Sequence, residues 1–265
     1  MTTTAVPVAP SRLRRVGSLA AAETRLLLRN RTAVVNSVLM PLLLVGFVAV
    51  AGGDGVLGVD LLVAATGFTL VFLTYYNLVT TYVARREDLV LQRMRTGELG
   101  DGEVLAATAV PTLLVTVGQL VLVAVGVAVL GLWTAPVDAV LPVLAVLLGA
   151  ALMVVLATAS TVFTRTPESA QITTLPVVLG ATALSGLFFP LSVLPEELAT
   201  VARLLPLTPV VELVQLGLAG RTWDGEVVAG VALWGAALVP LGVTLAWTAL
   251  AAAATVRWFR WAPRR

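Results

Sequence analysis

Six long apolar runs, separated by short polar or glycine-rich segments, dominate the pattern of this chain. Each run has at least the roughly 20 residues that a helix needs to cross a ~30 Å hydrocarbon core. Lipid offers no partner for open N–H and C=O groups, so a continuous apolar run that spans it must be helical. We therefore predict an all-α membrane protein with six transmembrane helices, over about 32–51, 61–83, 104–132, 139–163, 170–189 and 227–254.

The charges are distributed unevenly between the segments that join these runs. The chain has 17 arginines and no lysine, and with six spans all of the arginines except Arg203 and Arg221 fall on one side. Positive charge is retained on the cytoplasmic side of an inner membrane. We therefore predict that both termini are cytoplasmic, in a bacterial plasma membrane. Residues 1–31 and 257–265 are then cytoplasmic segments that flank a transmembrane domain over 32–256.

Residues 11–30 place arginines between apolar positions that lie three to four residues apart, such as Leu13, Val16 and Leu19. This spacing predicts an amphipathic helix at the cytoplasmic interface, with its arginines toward anionic headgroups of the lipid bilayer. Such a helix serves either as a topological anchor or as a docking element, and the sequence leaves both open.

The loop between the second and third runs contains more structure than a connection needs. It predicts a charged helix with Glu87 and Asp88 in the first turn and Arg93 and Arg95 in the last, where the helix dipole favours each sign, and with Gly97 as the C-cap. An apolar ridge between these charges suits a groove on a soluble partner, while the alternative is a solvated turn resting on the membrane. The residues assigned to this site are Arg86, Glu87, Leu89, Val90, Arg93, Met94, Arg95 and Gly97.

A segment over 190–220 is apolar but too broken by prolines to span. We predict two short helices on the outer side. The first begins at Pro195 and is stopped by Pro206, and the second is capped by Thr208 with Pro209 at its first position. Apolar pieces of this length suit a re-entrant hairpin better than a span.

Glu212 lies among apolar neighbours on the second of these pieces. An acidic side chain at membrane depth is a functional candidate, although it can also extend to the outer water layer. We expect its partner to be Arg203 or a backbone N–H near Thr208.

Composition excludes several classes of function. The chain is 58% hydrophobic with a mean hydropathy of +0.98, and it has no histidine and no cysteine. A His/Cys metal centre, a Ser-His-Asp triad and a disulfide are therefore impossible. The absence of lysine excludes a Walker-type phosphate loop. We expect no catalytic residue, cofactor or metal site in this chain, and no nucleic-acid partner.

Three segments carry a resemblance to a known family. REDLVLQRMRTGELGDGEVL (residues 86–105) resembles the coupling-helix loop of type-2 ATP-binding-cassette (ABC) exporter membrane subunits. SGLFFPLSVLPEEL (185–198) and LLPLTPVVELVQLGLAG (204–220) resemble the end of that family's fifth span and its two-part re-entrant helix. The family loop often reads TPLS after its arginines, whereas this chain reads TGELG over 96–100.

The resemblance implies a permease subunit that performs no covalent chemistry. A separate ATP-binding subunit would hold ATP and magnesium and would dock on the coupling helix. A second copy of this chain or a paralogue would complete the transporter. The cargo would be a hydrophobic drug or antibiotic, as in multidrug efflux and antibiotic resistance, or a lipid-linked molecule, moved outward.

Other functions predict features that can be sought in the sequence. An ATP-independent secondary transporter or channel would carry a titratable residue at the centre of a span, or inverted repeats. Neither is present. A membrane-embedded enzyme would need converging carboxylates, but Glu196 and Glu197 are adjacent and diverge on a helix. A non-transporting scaffold is distinguished only by a partner or transport assay.

Overall fold

The computed structural model describes residues 12–29, 31–52, 54–95, 99–188 and 191–262. Within these ranges the regular structure is helical, apart from a single bridge between Arg221 and Val227. The helices are α1 (Arg12–Arg29), α2 (Arg31–Ala51), α3 (Gly55–Phe68), a π-helix (Thr69–Tyr76), α4 (Asn77–Glu87), α5 (Val90–Arg95), α6 (Asp101–Val129), α7 (Val140–Ser160), α8 (Pro167–Leu184), a 3₁₀ turn (Leu191–Val193), α9 (Glu196–Arg203), α10 (Thr208–Ala219) and α11 (Gly230–Trp258).

Four of these helices are long and apolar enough to cross a membrane. They are α6, α7, α11 and the continuous helix of 33 residues that α3, the π-helix and α4 form together. The count becomes five if α9 and α10, bent by 87°, are one broken span. The chain is therefore an all-helical, multi-pass membrane protein.

The first and fifth predicted spans coincide with α2 and α8, which do not count among those four helices. In α2 the apolar part is the shorter stretch Ser37–Val50. The first turns of α8 contain Glu168, Ser169 and Gln171, which reduce its mean hydropathy. The total of six spans stays a prediction.

Close packing against α7 builds the centre of the protein. Small residues bring the neighbouring helix α10 near: a Cβ added at Gly149 would lie 2.6 Å from Cγ1 of Val210, and one added at Gly217 would lie 2.3 Å from Cδ of Pro142. Small residues are the usual means of close helix contact in membranes, where dispersion replaces the hydrophobic effect as the main attraction. Substitution of either glycine would therefore separate α7 from α10.

Hydroxyl groups link the helices inside this core. Thr74 of the π-helix and Thr116 of α6 share a hydrogen bond of 2.8 Å, and the Tyr82 hydroxyl donates to the Leu105 carbonyl at 2.8 Å. Such bonds contribute about 0.6 kcal/mol each in membrane proteins. They also fix the rotation of the α3–π–α4 helix about its axis, which decides which of its side chains face outward.

The loops meet at two opposite ends of the bundle. At one end, which we call the elbow end, the end of α4, α5 and the start of α6 contact the turn between α7 and α8 and the segment after α11. At the other, the hairpin end, Asp138 bonds to Gly217 and Trp234, while Arg203 bonds to Asp224.

Candidate functional site

The elbow, residues 84–95, is a sharp turn between α4 and the six-residue helix α5. The structure places Glu87 at the end of α4 and Asp88 as its C-cap, with the Asp88 N–H bonded to the Ala84 carbonyl at 2.9 Å. The prediction that Glu87 and Asp88 open the short helix is therefore wrong. The helix of the second span continues further than expected because Arg85 and Arg86 in its last turn suit the negative end of the helix dipole.

Leu89 forms the corner of the elbow in a backbone conformation that leucine rarely adopts. Its φ is +60°, and its side chain is 40% exposed. The left-handed region costs an L-residue roughly 1–2 kcal/mol. Two bonds hold it there: its N–H donates to the Arg86 carbonyl at 3.2 Å, and its carbonyl accepts from the Arg93 N–H at 3.1 Å. The elbow thus presents an apolar side chain outward at an energetic cost.

Arg86 anchors the elbow to the rest of the protein. Its side chain is only 1% exposed and donates to the backbone carbonyls of Thr161 at 3.0 Å, Thr164 at 2.6 Å and Arg165 at 3.3 Å. These carbonyls follow the end of α7, where helix carbonyls lack partners in the next turn. The sequence predicted Arg86 as a contact residue for a partner, but the structure buries it as a link to the α7–α8 turn.

Arg95 joins the end of α5 to two other segments. Its Nε donates to Asp101 at 2.9 Å, at the start of α6, and its guanidinium lies 5.2 Å from the ring centre of Trp261. Trp261 in turn meets Phe259 edge to face. Arg93 and Arg95 occupy the last turn of α5, as predicted.

The other residues assigned to this site divide between surface and interior. Val90 and Met94 are half-buried, and Arg93 is exposed. Leu91 points fully inward. Gly97 lies outside the described residues. The apolar ridge expected on this helix is therefore centred on Leu89, with Val90 and Met94 beside it.

An ion pair connects α1 to the end of α4. Both guanidinium nitrogens Nη1 and Nη2 of Arg85 donate to the carboxylate of Glu23. Glu23 is only 6% exposed, although it belongs to an amphipathic helix. It shares its buried face with Ala20, one turn earlier. Sequence reasoning assigned no role to Glu23, and only the three-residue spacing from Ala20 marks it as an inward-facing carboxylate.

A groove of about 1010 Å³ opens between α2, the α3–π–α4 helix and α6. Its volume lies at the upper end of the range that holds drug-sized ligands. The π-helix supplies Thr69, Phe72 and Leu73 to its wall. Helical segments with π-type bonding are frequent at functional sites because the wider turn re-aims side chains. Phe72 is 46% exposed and stacks on Phe68 at 5.9 Å between ring centres.

The groove changes character along its length. Near Arg85 it is lined by Asn77, Thr80 and Thr81, which offer hydroxyl and amide groups. Toward the hairpin end its lining is mainly aliphatic and aromatic, with Leu44, Ala65, Phe68 and Val123 beside the hydroxyl of Thr69 and the amide of Gln119. A molecule that fills it lengthwise therefore meets a polar end and an apolar end.

Gln119 completes the wall between α2 and α6. Pro41 lies inside α2 and has no N–H, so it cannot donate the usual helical hydrogen bond to the carbonyl of Ser37 one turn earlier. The Gln119 side-chain amide donates to that carbonyl at 2.8 Å.

The hairpin comprises α9 and α10. Glu196 and Glu197 occupy the first turn of α9, as predicted, but Pro195 is its N-cap rather than its first residue. The second helix begins at Thr208 rather than after it, so Pro209 takes the second position and Leu207 is the N-cap. The predicted cap is thus wrong by one residue, because the side chain of Thr208 donates to the Leu184 carbonyl instead. The first helix ends at Arg203, before Pro206. Gly220 ends α10 in the left-handed conformation, with φ +64°.

Glu212 lies half-buried in α10, near the Trp223 indole. Of its two expected partners, Arg203 instead forms its ion pair with Asp224, through Nη2 and Oδ1 at 2.5 Å. The alternative, a backbone N–H near Thr208, stays a prediction. Asp224 is the more exposed of the two carboxylates, so Arg203 can reach it without leaving water. Arg203 still lies close enough to Glu212 to act on it through space.

A family model described as ABC-2 type transporter matches residues 14–218, from α1 to the end of α10. The matched part includes the elbow, the groove and the hairpin. No curated protein matches the chain at a significant level.

Proposed function

Since the chain belongs to the ABC-2 type transporter family, whose members are membrane permease subunits that work with an ATP-binding subunit, we propose that it is the permease of an ABC exporter. In this proposal a separate ATPase polypeptide hydrolyses ATP and a second copy of this chain completes the transporter. The cargo is a hydrophobic or amphiphilic molecule, and it moves outward across the plasma membrane of a bacterium.

The anchored elbow is the observation that supports this proposal most directly. Leu89 is exposed at a strained corner, while Arg86, three residues earlier, is buried against the α7–α8 turn. A force applied at Leu89 is therefore transmitted to α4 and to the end of α7 together. A rigid exposed knob with a buried anchor suits a soluble ATPase that pushes on the membrane domain during its cycle.

The proposed orientation follows from the charges near the elbow. Arg85, Arg86, Arg93 and Arg95 lie at the elbow end, together with Arg165. Arginine excess marks the cytoplasmic side, where the ATPase and its nucleotide are found. The hairpin end then faces outward. Helix α1 lies along the inner interface of the membrane, on the cytoplasmic side of the six-span domain.

The groove is the proposed place for cargo. It opens on the side of the α3–π–α4 helix, the same helix that ends in the elbow. Movement of the elbow would therefore shift Asn77, Phe72 and Thr69 relative to α2 and α6. This arrangement connects the docking surface to the binding surface through one continuous helix.

A docking experiment tests the proposal. The chain is co-expressed with candidate ABC ATP-binding subunits from the same genome, and the complexes are copurified from membranes. We expect Leu89→Asp to abolish recovery of the ATPase, because it places a charge on the exposed apolar corner. Leu198→Asp is the matched control: Leu198 is also 40% exposed but lies on α9 at the hairpin end.

Transport provides the second measurement. In inverted vesicles, the complex should accumulate a fluorescent monoacylglycerol only with hydrolysable ATP, and Leu89→Asp should remove this accumulation. Accumulation without ATP would instead favour an ATP-independent transporter. Equal ATPase recovery by Leu89→Asp and by the control would refute docking at the elbow.

A further inference from the structure

We propose that the Glu23–Arg85 pair sets the charge selectivity of the groove, so that the groove binds an uncharged single-chain amphiphile and excludes anionic ones. This inference deepens the proposed function, since it names the substrate class of the groove and the residue that selects it. It stands on the polarity of the lining, the charge balance at one end and the burial of Glu23.

The polarity of the lining requires an amphiphile. Asn77 is exposed in the groove, and Thr80 and Thr81 lie one turn further toward Arg85. These groups hydrogen-bond a small polar head. Phe68 and Val123 line the opposite end, where an alkyl chain packs against apolar side chains. Neither a fully polar solute nor a plain hydrocarbon satisfies both ends.

The charge balance decides which head is accepted. Among the described lining residues Arg85 is the only ionisable one that is charged at neutral pH, and its two terminal nitrogens are both bound to Glu23. The pair is therefore neutral as a unit. A carboxylate or phosphate head entering this end would lose its water shell and find no free cation, which costs several kcal/mol for an uncompensated charge. An uncharged hydroxylated head bears no such penalty.

The position of Glu23 allows it to control the charge of the groove through Arg85. A carboxylate on an interfacial helix ordinarily faces water, but Glu23 is 6% exposed and reaches across from α1 to α4. Its partner Arg85 is the residue that lines the groove, whereas Glu23 itself does not. Glu23 thus acts through Arg85 as a specificity-determining residue. Removal of its charge alone would leave an uncompensated arginine facing the cargo.

Photolabelling tests the inference. The purified chain, without ATPase or nucleotide, is placed in nanodiscs of zwitterionic lipid with one of two probes that carry the same diazirine-bearing alkyl chain. One probe is a monoacylglycerol, which is uncharged, and the other is a lysophosphatidic acid, which is anionic. Labelled peptides from 65–85 and 112–123 are quantified by mass spectrometry against probe concentration.

We expect the wild type to be half-saturated by the uncharged probe at a concentration at least about tenfold lower than by the anionic one, a factor that corresponds to one charged contact. Glu23→Gln should reverse this order. The double variant with Glu23→Gln and Arg85→Gln should restore it, because the uncompensated charge is gone. Glu23→Asp, which keeps the charge, should keep the wild-type preference.

Equal half-saturation of the wild type by both probes would overturn the inference, and so would an unchanged order in Glu23→Gln. The wild-type comparison can overturn the inference even if a variant does not fold, and Glu23→Asp tests the role of the charge with the smallest change of structure. The assay needs no ATPase, so its failure leaves the proposed permease function untouched. Conversely, failure of the wild-type chain to copurify with an ATP-binding subunit would refute the permease function and leave the groove's charge preference as measured.

Discussion

The side chain of Gln119 replaces a missing helix hydrogen bond at Ser37. Its amide donates at 2.8 Å to the Ser37 carbonyl, to which Pro41, four residues later, has no N–H to donate. The break in α2 and the polar side chain of α6 are therefore one structural unit. This pairing attaches the first apolar helix of the bundle to α6 along the wall of the groove.

This unit predicts non-additive effects of substitution. Gln119→Ala should lower the free energy of unfolding by about 1 kcal/mol, the scale of interhelical hydrogen bonds in membranes. In a Pro41→Ala background the cost should fall, because residue 41 then supplies an N–H to Ser37. Unfolding by SDS titration of the purified protein measures both values. An identical cost in the two backgrounds would contradict the replacement.

Arg86 should matter for stability more than any exposed arginine of the elbow end. Arg86→Ala leaves the carbonyls of Thr161 and Thr164 buried without these donors, so the free energy of unfolding should fall by about 2 kcal/mol or more. Arg86→Lys should be intermediate, because one ammonium cannot reach all of these carbonyls in the same geometry. Arg165→Ala is the control, since Arg165 is exposed. A loss no greater than that of the control would contradict the anchor.

The strained backbone at Leu89 should lower the stability of the folded protein. At φ +60°, glycine avoids the steric cost that leucine and alanine carry. Leu89→Gly should therefore be more stable than Leu89→Ala by about 1 kcal/mol, although both remove the same apolar knob. Both variants should recover less ATPase than the wild type. The same unfolding titration separates the two effects, and equal stability of the two variants would show that the corner is unstrained.

Glu212 should be needed for transport and not for assembly. It lies half-buried in the hairpin, and Arg203 is engaged by Asp224. Glu212→Gln keeps the shape and removes the charge, so expression and ATPase recovery should remain while ATP-dependent export falls. Wild-type export by both Glu212→Gln and Glu212→Ala would leave this carboxylate only an anchoring role at the outer water layer.

The hairpin should be accessible from outside at both of its ends. Glu197, at the start of α9, is exposed, and Thr222, after α10, is partly so. Cysteines placed singly at these positions should both react with a membrane-impermeant maleimide added to intact cells, as no native cysteine competes. Reaction of only one of them from outside would mean that α9 and α10 form one broken span.

Local patterns in the sequence predicted much of this fold. The basic last turn of α5, the acidic first turn of α9 and the glycine that ends α10 depend on neighbours within a few residues, so the sequence displays them directly. The prolines likewise marked where the hairpin breaks. The errors at Thr208 and at Glu87 are small shifts of helix ends, where one tertiary hydrogen bond or one extra turn decides the boundary.

The long-range pairs could not be predicted in the same way. Glu23 and Arg85 are far apart in the sequence, and nothing in α1 specifies which arginine receives the carboxylate. The sequence does not distinguish Arg86 from Arg85, because it does not show the direction in which each side chain leaves α4. In the structure Arg85 lines the groove, whereas Arg86 is buried. Arg203 had two acidic choices, and the loop after α10 brought Asp224 nearer. The π-helix also had no signal, because its residues are those of an ordinary apolar helix.

The contact between Arg95 and Trp261 has a consequence for the order of biosynthesis. Arg95 ends α5, early in the chain, whereas Trp261 follows α11 and is synthesised after every helix of the bundle. The ribosome therefore exposes the elbow long before the aromatic ring that supports it exists. Until the segment after α11 has been synthesised, Arg95 lacks its aromatic neighbour, so the elbow that we propose as the docking surface is not yet fully supported. Recruitment of an ATPase through this proposed surface would thus favour subunits in which α11 has already been made.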